Sequence, residues 1–217
     1  MSEPGRARVL LVDDRPSVLK VLAAVLEPSY AVSTAGDGGA ALALLGAGAF
    51  EVVLTDVRMP GLSGFEVLRA VRDRSPGSSV VLMTAFANIP DAVAAIKLGA
   101  YDYVAKPVEA DELLLVVARA LEYQRDPGAD AGEEPLGGVV AAGGGPGGPD
   151  ISVGFRSAIG AARDAASRRY LVNLMRTYQG NVTHAAVRAG MTRESLHRLL
   201  KKFDVRSEQY KDRQNVH

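Results

Sequence analysis

The sequence predicts an α/β fold, a five-strand parallel sheet flanked by helices, followed by a smaller all-α unit. Three observations lead there. Over residues 1–125, five short β-favouring runs alternate with five helical stretches at short spacing, the pattern of right-handed βαβ crossovers. Several of those runs end in acidic or hydroxyl residues, where an open parallel sheet collects its chemistry. Beyond residue 125 the composition changes twice, first to glycine and proline, then to arginine and lysine.

Taken in order, Ala7 to Val12 reads as a first strand that runs into Asp13-Asp14. Pro16 to Leu26 is an amphipathic helix with proline in its first turn, where a missing N–H costs nothing. Tyr30 to Ala35 is a second strand, and Asp37 to about Leu45 a second helix. Phe50 to Thr55 is the central strand: an apolar run buried on both faces, with Asp56 at its carboxyl end and a Pro60-Gly61 turn after it. A third helix spans Gly64 to Arg74, a fourth strand Val80 to Thr84, and a fourth helix Pro90 to Leu98, ended by Gly99. Tyr101 to Ala105 is the fifth strand and Ala110 to Tyr123 the fifth helix.

The strand ends carry the chemistry. Strand one delivers Asp13 and Asp14, strand three Asp56, strand four Thr84, and Lys106-Pro107 follows strand five. Carboxylates gathered at one sheet edge repel each other unless a cation sits among them. A hard, oxygen-lined site open to water and phosphate suits Mg²⁺. A lysine opposite can neutralise a transferred phosphoryl oxygen, and a hydroxyl can hydrogen-bond it. An aspartate can itself take up a phosphoryl group as an acyl phosphate. Each residue alone has a plainer role, as a helix cap, a strand-end threonine or a solvated lysine. Their joint placement favours a phosphoryl-transfer site.

Asp13-Asp14, Asp56 followed by Met59-Pro60-Gly61, Thr84-Ala85, and Tyr103 three residues before Lys106-Pro107 resemble the receiver domain of bacterial response regulators, over residues 6–125. The resemblance implies the doubly wound, flavodoxin-like strand order and phosphorylation of Asp56 by a sensor histidine kinase. It further implies Mg²⁺ held by Asp14, Asp56 and the backbone carbonyl of Arg58, with Asp13 assisting through water. Lys106 would pair with the phosphate, Thr84 would swing towards it, Tyr103 would turn inward behind Thr84, and the Lys106-Pro107 bond would be cis. Glu51 departs from the aspartate common at its position, away from the site.

Residues 126–150 hold nine glycines and four prolines and read as a flexible linker. The glycine run at 143–148 lacks the Gly-Lys-Ser/Thr sequence and leading strand of a phosphate-binding loop. No ATPase domain is therefore expected between the two ends.

Residues 151–217 form the basic tail, expected to be all-α. Phe155, Ile159, Ala162 and Ala166 give a helical apolar stripe, continued by Leu171, Leu174, Met175 and Tyr178 and stopped by Gly180-Asn181. A short helix over Val182 to Ala189, a Gly190-Met191 turn and a last helix from about Arg193 to Phe203, capped by Thr192, make a helix-turn-helix. On that last helix Leu196, Leu199, Leu200 and Phe203 are expected in the core. Arg193, His197 and Lys201 share the opposite face, flanked by Ser195, Arg198 and Lys202, and these six are the candidate DNA contacts. The run from Gly180 to Leu200 resembles the Fis-type helix-turn-helix that ends NtrC-family regulators. That resemblance implies double-stranded DNA as partner and a homodimer, favoured by phosphorylation. The layout of receiver, linker and Fis-type tail is similar to PrrA/RegA-like regulators.

Charge fits this division. Residues 1–125 carry 12 basic and 15 acidic residues (net −3), 126–150 none and five (net −5), and 151–217 thirteen and five (net +8). A basic tail is the electrostatic footprint of a polyanion partner. The chain has no cysteine, which excludes disulfides and thiolate metal sites. The first five residues lack the features of a signal peptide, and no apolar run reaches the roughly 20 residues of a spanning helix. A soluble, cytoplasmic protein without a membrane partner is expected. An Asp-nucleophile phosphohydrolase would carry a second acid two residues after the nucleophile, and that position is Arg58. The expected protein is a regulator and not an enzyme.

Overall fold

The structure, a computed structural model, describes residues 6–85, 89–125 and 151–210; from 151 onward, side chains are described at 161 and 163–210. The chain divides into two units, Met1–Ile159 and Gly160–His217.

The first unit is a five-stranded parallel sheet in the order β2-β1-β3-β4-β5, formed by β1 (Arg8–Val12), β2 (Ala31–Ala35), β3 (Val52–Asp56), β4 (Ser79–Thr84) and β5 (Asp102–Ala105). The helices between them are α1 (Pro16–Leu26), α2 (Gly38–Ala47), α3 (Gly64–Arg74), α4 (Ile89–Lys97) and α5 (Ala110–Arg125). The five strands and five helices read from the sequence are all present, with ends moved by at most two residues. Asp37, expected as the first helical residue of α2, is its N-cap, and its carboxylate accepts from Ala40 N–H at 2.8 Å. Short polar side chains favour that position because they satisfy an orphan N–H.

Every residue of β3 and β4 is buried, as expected for parallel strands covered on both faces. Side chains alternate across the sheet. Leu10, Val12, Val53, Val80, Leu82 and Tyr103 join a core with Ala41, Leu45, Val67, Leu68, Val71, Ala92 and Ala95 from α2, α3 and α4. Helices α1 and α5 pack together, and α5 packs against β3 and β4. The order of connection reverses between β1 and β3: from β1 the chain goes to one edge through β2, and from β3 to the other through β4 and β5. That switch opens a crevice at the carboxyl ends of β1 and β3.

Helix α6 (Ile151–Thr177) begins within the residues of the first unit, and in the second unit it is followed by α7 (Val182–Arg188), α8 (Arg193–Lys202) and a 3₁₀ turn (Ser207–Tyr210). Leu171, Leu174 and Met175 of the expected stripe are buried, Ala166 and Tyr178 half-buried; Phe155, Ile159 and Ala162 lie outside the described side chains, and residues 126–150 outside the described chain. Gly180, at φ 71°, closes α6 through a bond from its N–H to Met175 O at 2.8 Å. Glycine fits this left-handed position because it has no Cβ to clash. Asn181 caps α7 by accepting from His184 N–H at 3.2 Å. Gly190, at φ 64°, turns the chain into α8, which packs on α7.

Candidate functional site

Strand register brings the predicted residues together. Val12 of β1 lies beside Thr55 of β3, so Asp13 and Asp56 follow side by side. Asp56 pairs with Met83 and Thr84 with Ala105, which places Thr84 and Lys106 at the same edge. Backbone bonds fix these positions: Asp13 N–H donates to Ala35 O at 3.1 Å, Val57 N–H to Met83 O at 2.9 Å and Lys106 N–H to Thr84 O at 2.7 Å. The Lys106-Pro107 bond is cis.

At the centre lies a buried ionic triad. The Lys106 ammonium donates to Asp13 Oδ2 and, at 2.6 Å, to Asp56 Oδ2. The three side chains are 9%, 0% and 10% exposed. Two carboxylates this close and this buried need a cation between them, and Lys106 supplies it. Arg58 N–H donates to Asp56 Oδ1 at 3.3 Å, while Arg15 donates its N–H to Asp13 Oδ1 at 3.0 Å and brings its guanidinium Nε to 3.6 Å. Asp14 is exposed at the rim. One oxygen each from Asp13, Asp14 and Asp56 lie within 4.8 Å of one another, a hard-oxygen set that fits Mg²⁺.

Thr84 is buried behind this triad, and Tyr103 is buried beside Thr84. The Tyr103 hydroxyl has no hydrogen bond of good geometry. Burial pushes its phenol pKa up, and the nearby Thr84 hydroxyl partly offsets that rise. Tyr103 thus already points inward.

Two features of this site were invisible to the sequence reading. Gly64, the first residue of α3, packs directly on the backbone of Asp56: a Cβ there would lie 2.2 Å from Asp56 O. Its only sequence signal is a glycine where a helix former would serve better. The second is Asp102, wholly buried, which accepts from Tyr103 N–H at 2.8 Å and faces Arg119 Nη1 at 3.8 Å. Strand β5 is an edge, so this carboxylate takes up an N–H that has no strand to pair with.

In the second unit Arg193, His197, Arg198, Lys201 and Lys202 of α8 are all exposed. Leu196, Leu199 and Leu200 are buried as expected, whereas Phe203 is half-buried with the Lys202 ammonium 5.5 Å from its ring centroid. Ser195 differs from expectation. It is buried, its N–H donates to the Thr192 cap at 3.1 Å, and its hydroxyl accepts from Thr192 and Arg198 at 3.1 Å each. At two residues past Arg193, the helical turn carries it round to the inner face. Ser195 therefore braces the start of α8 and does not belong to its exposed row.

The family described as the response regulator receiver domain matches residues 9–118, and the chain belongs to that family. The regulatory protein AtoC of Escherichia coli (strain K12) is 40% identical over 118 residues, 54% of this chain and 26% of that protein. The transcriptional regulatory protein TcrA of Mycobacterium tuberculosis is 36% identical over 141 residues, 60% of this chain and 56% of that one. The chain thus spans from about a quarter to about half the length of these curated relatives. Among solved structures, a CheY-like receiver domain protein from Methanospirillum hungatei JF-1 superposes with a TM-score of 0.55 at 30% identity, covering 57% of this chain and all of that one. The receiver domain of NtrX from Brucella abortus does so with a TM-score of 0.50 at 37% identity, over 52% and 98%.

Proposed function

We propose that this protein is a two-component transcription regulator, phosphorylated on Asp56 by a sensor histidine kinase and binding duplex DNA through its C-terminal helices. The observation that carries the first half is the Asp13–Lys106–Asp56 triad at the switch point of the sheet. An Asp56 carboxylate oxygen attacks the phosphohistidine phosphorus; the O–P bond forms, the P–N bond breaks, and the departing imidazole keeps the electron pair and takes up a proton. Lys106 is already in place to follow the new phosphoryl oxygens, and the Arg58 N–H remains on the carboxyl group it holds now. Thr84 offers its hydroxyl from the adjacent strand. Asp13, Asp14 and Asp56 would hold Mg²⁺, with the Arg58 carbonyl as a further ligand, and the ion would supply neutralising charge as the phosphoryl group arrives.

Moving Lys106 and Thr84 towards a phosphoryl group changes what Tyr103 packs against, a local charge event read out as repacking of the β4–β5 edge. The nine glycines and four prolines of residues 126–150 support reading that stretch as a flexible linker between the receiver and the basic tail, a composition that would transmit little torque. Control by altered pairing of two copies suits such a tether better than a rigid push, since two linked DNA-binding units gain avidity for paired half-sites. The exposed Arg193, His197, Arg198, Lys201 and Lys202 on α8, in a tail of net charge +8, support the second half of the reading. A helix-turn-helix of the Fis type, with α8 as the reading helix, is the arrangement proposed; polymerase remodelling by ATP has no part in it.

Full-length protein and Asp56→Asn, each with and without acetyl phosphate and Mg²⁺, provide the test. Wild type is expected to gain one phosphoryl mass and bind duplex more tightly on treatment; Asp56→Asn is expected to do neither. Equal phosphate uptake by Asp56→Asn would refute the assignment of the acceptor.

A further inference from the structure

We propose that Glu208 is a brake on DNA affinity: a carboxylate built into the basic face that weakens its grip on phosphates whatever their sequence. The inference rests on the DNA-binding reading above. An open groove in the second unit is lined by Asn181 and Thr183 from the start of α7, Arg193 and His197 from α8, and Ser207 and Glu208 from the 3₁₀ turn. Arg193, His197 and Glu208 are all exposed, so a duplex lying along the outer face of α8 brings its phosphates to this groove. The Ser207 hydroxyl donates to Glu208 Oε1 at 3.3 Å, which helps hold the carboxylate at the rim.

The position of this charge is the point. Residues 151–217 contain five acids: Asp164, Glu194, Asp204, Glu208 and Asp212. Glu194 lies in the first turn of α8, where the helix dipole favours a negative charge. Glu208 instead shares a groove with Arg193 and His197, the first two residues of the candidate reading row. There a carboxylate repels phosphate directly and offsets part of the positive potential that Arg193 lends the same groove. Non-specific duplex binding is almost wholly phosphate electrostatics. A fixed negative charge in the groove therefore lowers the grip of one copy and leaves occupancy to depend on pairing of two.

Fluorescence anisotropy of the full chain with a labelled duplex of random sequence, at about 50 mM and about 200 mM salt, tests this. Glu208→Gln is expected to bind about threefold to tenfold more tightly than wild type at the lower salt, Glu208→Lys more tightly still, and both gaps to narrow at the higher salt as the charges are screened. Wild type that binds duplex, with Glu208→Gln equal or weaker, overturns the brake and leaves the DNA-binding reading standing. Variants that melt earlier without tightening also overturn it, since Glu208 then serves only the 3₁₀ turn. Wild type and both variants all failing to bind overturns the DNA-binding reading and this inference together.

Discussion

In the receiver unit, four side chains numbered 13, 56, 84 and 106 converge because four strands end in register at one edge. In the C-terminal unit, Arg193, His197 and Lys201 lie on one face because they are four residues apart on a single helix. The first arrangement is a property of the whole sheet, and no segment of it can be cut out and keep the site. The second is a property of one helical turn repeated, and needs only that α8 form and bury its leucines. Damage should spread accordingly: widely from a backbone contact in the receiver, locally from a cap in the tail.

Gly64→Ala presses hardest on this contrast. The added methyl has no room against Asp56 O, and backbone cannot yield as a side-chain end does. Overpacking of this kind costs about 3 kcal/mol at the upper end of its usual range. The receiver is expected to melt earlier, and acetyl phosphate labelling of Asp56 to slow, although residue 64 contributes no group to the chemistry. Normal melting and labelling would mean the β3–α3 connection is more compliant than the structure allows.

Tyr30 tests the receiver core away from the site. It is buried, and that burial pushes its phenol pKa up to about 12, partly opposed by Arg125. The unfolded phenol ionises near 10, so between about pH 10 and about 12 the unfolded chain loses a proton that the folded chain keeps. Stability from the neutral buried phenol is thus complete below about pH 10 and falls as pH rises, by about 2 kcal/mol at pH 12. Tyr30→Phe should remove that part of the alkaline slope in chemical denaturation, and an unaltered slope would contradict it.

Thr192→Ala is the smallest and most local. Losing the hydroxyl that accepts from Ser195 N–H should cost about 1 kcal/mol of tail stability. Duplex affinity should fall with it, while receiver melting and Asp56 labelling stay as in wild type. A shift in receiver melting would break the separation between the two units.

Much of this was legible in the chain itself. The apolar runs at 52–55 and 80–83, short and bounded by turn residues, read as strands covered on both faces, and the four-residue spacing of Arg193, His197 and Lys201 placed them on one helical face. Asp13, Asp56 and Lys106 were readable as a group because each follows a strand directly. Ser195, expected beside the exposed row, is buried: a hydroxyl gives no sign of its direction in the sequence, and the capping bonds at Thr192 hold it inward. Gly64 carried no chemistry to attract notice, since its importance is the absence of an atom near Asp56 O.

By itself, then, the sequence determined the kinds of element, their order and the residues at their ends, because periodicity and turn chemistry are local properties of neighbouring residues. Only the tertiary structure decided that Lys106 bridges Asp13 and Asp56, that Asp102 faces Arg119, and that Glu208 shares a groove with Arg193. Those are distances between residues far apart in the chain, and they exist only once packing has brought the elements that carry them together.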